Sequence, residues 1–141
     1  MVAEEIKFLN VVKEVQIAAP ADVVFETVLE PHGPLKEMNL KLEPWPGGRW
    51  FRDLGNNTGH LWGHVQVIKP PKLLELVGPT MMSYPAIAHI QYRLIEQPGG
   101  TLLKFTHRAM GLIEPGLVEG VNKGWGEMLE MIRVAAEKKR G

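Results

Sequence analysis

No cysteine occurs among the 141 residues, which excludes disulfide staples, thiol nucleophiles, cysteine-ligated zinc and thiol redox switching together. Excess charge of either sign is also missing. Sixteen Lys and Arg offset sixteen Asp and Glu, so no net field draws the chain toward nucleic acid or an anionic membrane. No apolar run approaches the ~20 residues that a spanning helix requires. Met1-Val2-Ala3-Glu4-Glu5 is acidic where a signal peptide would be basic. The expectation is a soluble cytoplasmic protein. Repeats, low-complexity tracts and Gly/Ser/Pro-rich linkers are absent too, so residues 1–141 read as one domain. A chain of this length buries about two-thirds of its unfolded surface and needs no staple.

Several chemistries are missing as motifs. The chain has no Gly-rich phosphate loop, no serine elbow and no helical His-Glu pair. Gly47-Gly48 precedes a strand, not a helix, and reads as a turn. His60 and His64 have a spacing that would share a metal on a helix, but they fall in a strand pattern. There four residues span about 13 Å, too far for two imidazoles to meet one zinc. The sequence therefore implies no metal and no cofactor.

What is present begins with a long one-sided run, Glu114 to Lys139. At about 100° per residue, Val118, Val121, Trp125, Met128, Leu129, Ile132, Ala135 and Ala136 share one arc, with charged residues on the rest. Gly120, Gly124 and Gly126 lie in its first half, each roughly 1 kcal/mol worse than Ala in a helix interior. Two explanations are open: the helix starts late and the glycines form its lead-in, or a small-residue edge beside Trp125 leaves space for a ligand.

Upstream, Lys7 to Ala18 reads as a strand. Ala19-Pro20-Ala21-Asp22 then opens a short helix with Val24, Phe25, Val28 and Leu29 on its apolar face. Pro31, Gly33 and Pro34 end it, and Leu35 to Leu40 reads as one more helical turn. Strands follow at Arg49–Leu54, His60–Ile68, Leu73–Val77, Ala86–Glu96 and Thr101–Ala109, separated by Gly, Pro and Asn turns. Short connections imply antiparallel neighbours. Strand parity turns Ala88, Ile90, Tyr92 and Leu94 inward on one strand and Leu103, Phe105 and His107 on the next. The fold class is α+β: a curved antiparallel sheet wrapped around a long C-terminal helix, with two short helices after the first strand.

At this point the chain resembles the START-like, helix-grip domains of the SRPBCC superfamily, in the branch related to the activator of the Hsp90 ATPase. The residues that carry the resemblance are Ile17-Ala18-Ala19-Pro20 with Val24-Phe25, Pro46-Gly47-Gly48-Arg49-Trp50, Gly63-His64-Val65 leading to Pro70-Pro71-Lys72-Leu73, Gly100-Thr101 with Leu103, Phe105 and His107, and Gly124-Trp125 with Leu129 and Ile132. The resemblance implies an apolar cavity between sheet and helix that holds a small hydrophobic molecule. Relatives include aromatases or cyclases, lipid carriers and co-chaperone domains, so a polyketide cyclase-like enzyme and a chaperone-interacting domain are the alternatives. A homodimer is compatible with each.

The candidate residues follow from parity and position. Trp50, Trp62, Met81, Tyr84, Tyr92, Phe105, His107, Trp125 and Met128 are the expected ligand contacts, since aromatics and thioethers conform to varied apolar partners. His107 is also the candidate acid or base, with Arg52 as a partner for a carboxylate or enolate if Trp50 and Arg52 both point inward. Trp50 and Phe51 cannot both face the helix unless a bulge intervenes.

Overall fold

The computed structural model describes residues 5–81 and 85–140. The elements run β1 (Lys7–Ile17), α1 (Ala21–Val28), α2 (Pro34–Glu37), β2 (Leu40–Leu42), β3 (Arg49–Gly55), β4 (Thr58–Lys69), β5 (Leu73–Gly78), β6 (Ala86–Gln97), β7 (Gly100–Gly111) and α3 (Leu117–Arg140). All strands join one antiparallel sheet in the order β1-β7-β6-β5-β4-β3-β2. The sheet curves around α3, the α+β helix-grip arrangement expected from the sequence.

Alternation explains which face is buried. On β6, Ala88, Ile90, Tyr92 and Leu94 are buried, and on β7 Leu103, Phe105, His107 and Ala109 are, as period-2 side chains require. Ile90 lies opposite His107 and Tyr92 opposite Phe105 in the register. The β6–β7 connection is the two-residue turn Pro98-Gly99, with Gly99 at φ +83°, the geometry of a type II turn with Pro first and Gly second. Close approach dictates another glycine pair. A Cβ on Gly78 would lie 2.4 Å from Gly63 Cα, and one on Gly63 would lie 2.6 Å from the Val77 carbonyl oxygen, so β4 and β5 touch backbone to backbone beside Trp62.

Helix α3 is tied down along its length. Val121, Trp125, Met128, Leu129, Ile132 and Ala136 are buried against the sheet and α1. Near its C-terminus, Glu137 Oε2 accepts the Ala18 backbone N–H at 2.9 Å, which satisfies a donor in the β1–α1 connection. Thr101 Oγ1 donates to the Ala19 carbonyl at 2.8 Å from a buried position, locking the same connection to β7.

Three expectations require correction. The helix starts at Leu117, not Glu114, because Pro115-Gly116, with Gly116 at φ +89°, holds the chain outside helical geometry. Val118 is 45% exposed, so the buried arc of α3 begins at Val121. A further strand, β2, pairs with β3. It spans three residues after Asn39 at φ +57°, too short for periodicity to register.

Ordinary alternation puts Trp50 and Phe51 on opposite faces of β3, and the register shift between them falls on β4, where Trp62 is the extra residue. Trp50 is buried inside, while Phe51 is half-buried outside beneath Arg49, whose guanidinium sits 4.3 Å from its ring centre. Arg49 also forks onto Glu43, donating from Nε at 3.0 Å and from an Nη at 2.9 Å. That hydrogen-bonded pairing lowers the Glu43 pKa to about 2 and clips the turn before β3. Leu54 is exposed, beside a second shift between Asp53 and Gly55.

Candidate functional site

The glycines of α3 are interior to the helix, which leaves the spatial explanation for them. Gly116, Gly120 and Gly124 recur every four residues on one edge of α3 or just before it, and a Cβ on any of them would meet nothing within 4 Å. Their edge borders a cleft of about 430 Å³. Opposite the glycines stand Trp62 from β4, Met81 after β5, and Pro34 and Leu35 from α2; the α3 side adds Leu117, Val121, Trp125, Met128 and Met131. The size suits a small organic ligand, and the lining is almost wholly apolar. Among the described residues, Glu127 is the only charged one on the border. It is exposed, and no hydrogen bond or ion pair engages its carboxylate among the described residues.

The α2 wall is held by a tight contact. Gly33, at φ +53°, lies so near Met131 that a Cβ there would come within 2.7 Å of the Met131 sulfur. Glycine at that position both permits the turn and lets α2 approach α3. Neither Leu35 nor Met131 stands out in the sequence, because their role arises from this contact between distant segments.

The expected ligand contacts divide into groups. Trp62, Met81, Trp125 and Met128 border the cleft. Trp50 and Tyr92 do not; they border a recess of about 40 Å³ behind it, which shares Leu35 and Met128 with the cleft. Phe105 and His107 border neither space and are sealed in the core. Tyr84 lies outside the described residues. Arg52 is half-buried in β3, opposite Leu40 and His60, and away from the cleft. Its Nε is shielded from solvent and lacks a partner among the described residues.

Aromatic rings connect the core to the cleft wall. Tyr92 meets Phe105 edge-on with centres 5.1 Å apart, and Phe105 lies 4.5 Å from Trp125. On the other wall, Trp62 stands edge-on to Trp50 at 5.1 Å. The Trp125 indole N–H donates to His107 Nδ1 at 2.8 Å. That bond places the remaining imidazole proton on Nε2, which is buried and unpartnered among the described residues. Burial lowers the His107 pKa to about 4, so the ring is neutral near pH 7. In this arrangement it offers an N–H, while its lone pair is engaged by Trp125.

Metal chemistry finds no support in the geometry: among the described residues no three His, Asp or Glu side chains cluster suitably. No described helix is long and apolar enough to cross a membrane.

The glycine edge yields a stability prediction. Gly120→Ala and Gly124→Ala should each stabilise the free protein by about 0.5–1 kcal/mol, since the helix gains propensity and the new methyl meets no obstacle. Urea denaturation of each variant checks this; a loss of stability would mean the edge is already packed.

A bent antiparallel sheet clasping a long C-terminal helix, with an apolar cleft between helix and sheet, defines a START-like helix-grip domain. Within that class the chain belongs to the Activator of Hsp90 ATPase homolog 1-like protein family, whose pattern it matches over residues 18–137. Solved structures agree on the fold. A protein of Rhizobium leguminosarum superposes with a TM-score of 0.75 at 19% identity, covering 95% of this chain and 97% of that one. The Aha1 dimer of Colwellia psychrerythraea gives 0.65 at 18% identity, covering 94% and 99%. DynU16, a protein of the dynemicin biosynthetic locus, gives 0.67 at 18% identity and covers 93% of this chain but 48% of its own. No curated protein matches the sequence.

Proposed function

We propose that this protein is a cytoplasmic binding module that holds one small hydrophobic molecule in the cleft between α3, α2 and Trp62. The observation that carries the reading is an apolar space of about 430 Å³ whose edge is kept open by glycines that destabilise their own helix. Stability alone would favour alanine there. A ligand of about 20 heavy atoms at ~0.3 kcal/mol per atom binds with about 6 kcal/mol, corresponding to tens of micromolar. Native mass spectrometry after incubation with a panel of apolar ligands should show one adduct per chain, lost in Gly124→Leu. A panel that leaves the chain free of adducts overturns the reading. Base catalysis by His107 would require the ring to give up its Trp125 bond, and the ring borders neither the cleft nor the recess, which makes binding the simpler function.

A second reading rests on the outer face of the sheet. Phe8, Met110 and Ile87 form an exposed apolar row across β1, β7 and β6, each opposite the next in register. Such a row suits protein contact, and the family's description refers to activation of the Hsp90 ATPase. If this face serves that role, the chain raises ATP hydrolysis by purified Hsp90 and Met110→Lys abolishes the effect. An unchanged hydrolysis rate removes the reading. The same row suits a homodimer, which analytical ultracentrifugation tests.

A further inference from the structure

Resting on the binding function just proposed, we infer that the cleft selects a flat, fused-ring ligand bearing a basic or hydrogen-donating group, in preference to a flexible acyl chain or a carboxylate.

The shape argument starts from the helix edge. Gly116, Gly120 and Gly124 project no side chain into the cleft, and a Cβ at each would meet open space. At 1.5 Å per residue, Gly120 and Gly124 leave about 6 Å of helix edge bare, and Gly116 extends that edge into the turn before the helix. The opposing side presents the indole of Trp62, and Trp125 stands beside Gly124. A planar ring system covers both a bare helix edge and an indole while forfeiting little rotational freedom. An alkyl chain must freeze a rotor at nearly every carbon to cover the same surface. Flat surfaces therefore gain more from this cleft per atom ordered.

The charge argument starts from Glu127. Among the described residues it is the one charged group on the border, it is exposed, and neither Lys nor Arg lines the cleft beside it. A ligand carboxylate seated here would meet like charge on the lining itself, where no Lys or Arg stands among the described residues. An amine or hydroxyl at the mouth would instead donate to the Glu127 carboxylate. Free fatty acids are disfavoured on both counts.

A four-probe titration of intrinsic tryptophan fluorescence separates the claims, with Trp62 and Trp125 as reporters in the wall. The probes are aminoacridine (flat, basic), anthracenecarboxylate (flat, acidic), dodecylamine (flexible, basic) and dodecanoate (flexible, acidic). Aminoacridine should bind about tenfold or more tighter than each of the others. Glu127→Gln should narrow its advantage over anthracenecarboxylate. Gly124→Leu should abolish binding of aminoacridine without lowering the melting temperature, because a side chain at that position grows into open space.

Dodecyl probes that bind as tightly as the flat ones, and are lost in Gly124→Leu, overturn the shape inference while leaving the binding function standing. Equal affinity for the two flat probes, unchanged by Glu127→Gln, overturns the charge inference. Binding of aminoacridine that survives Gly124→Leu places it elsewhere and overturns the site. Failure of all four probes overturns this inference; the wider apolar panel then decides separately whether the cleft binds anything.

Discussion

Alanine in place of Trp125 should remove about 3–5 kcal/mol of folding stability, the range for deleting a large buried aromatic. Trp125 is 5% exposed and packs at 4.5 Å from Phe105. Its loss opens a cavity at the centre of the clasp and leaves His107 Nδ1 without the donor that lies 2.8 Å away. Phenylalanine separates the two effects. Trp125→Phe keeps most of the ring but strands the histidine, so it should cost about 1–3 kcal/mol. That cost should shrink when His107→Leu has already removed the acceptor, which a double-mutant cycle in urea measures directly. If Phe and Ala cost the same, ring packing contributes nothing and the central role of Trp125 is wrong.

Acid should weaken the fold before its carboxylates protonate. Burial lowers the His107 pKa from its ordinary 6.5 to about 4. In the unfolded chain this imidazole takes up a proton near pH 6.5, but in the folded protein it does so only near pH 4. Between those values the unfolded state binds more protons, so stability falls as pH falls, is constant above the window and loses nothing more to this group below it. The full shift corresponds to about 3 kcal/mol. Glu43, Glu75 and Glu130 have pKa values lowered by their hydrogen bonds to Arg49, His89 and Arg133, so their contributions fade below pH 4.5 and fall outside most of that window. His107→Asn removes the titration while its amide oxygen can accept from Trp125. Urea midpoints measured from pH 7 to 4 should therefore fall steeply in the parent protein and stay flatter in His107→Asn. Parallel profiles would show that folding does not shift the His107 pKa.

The fold was legible where one side of an element is buried and the other is wet. Strand parity on β6 and β7 turned Tyr92, Phe105 and His107 inward, and their burial follows that alternation. Periodicity found α3 but missed its start, because the backbone leaves helical geometry at Gly116, φ +89°, which no pattern of apolar residues records. It missed β2 because three residues show no period. The site was less legible for a different reason. Burial and exposure to a cavity look alike in a pattern of apolar residues, so nothing in the sequence separates Trp62, on the cleft, from Trp50 directly behind it. His107 and Phe105 shared the inward parity, yet Trp125 closes over both. The glycines were the clearest signal available. A residue that weakens its own helix asks for a spatial cause, and the open edge supplies one for Gly120 and Gly124, while Gly126 lies against Lys13 instead.

The strand order carries a consequence for synthesis. In the sheet, β1 has β7 as its neighbour, with Lys7 opposite Gly111 and Ile17 opposite Thr101. The earliest strand to leave the ribosome must therefore wait for the latest one, while the meander from β3 to β7 can zip up locally as each turn emerges. Until then Leu9, Val11 and Ile17 have no sheet to enter, and closure of the largest loop in the molecule becomes the late, slow event. β1 stays unpaired while every other strand of the sheet is made, and conditions that stall elongation before β7 should send the chain to aggregates rather than to the native clasp.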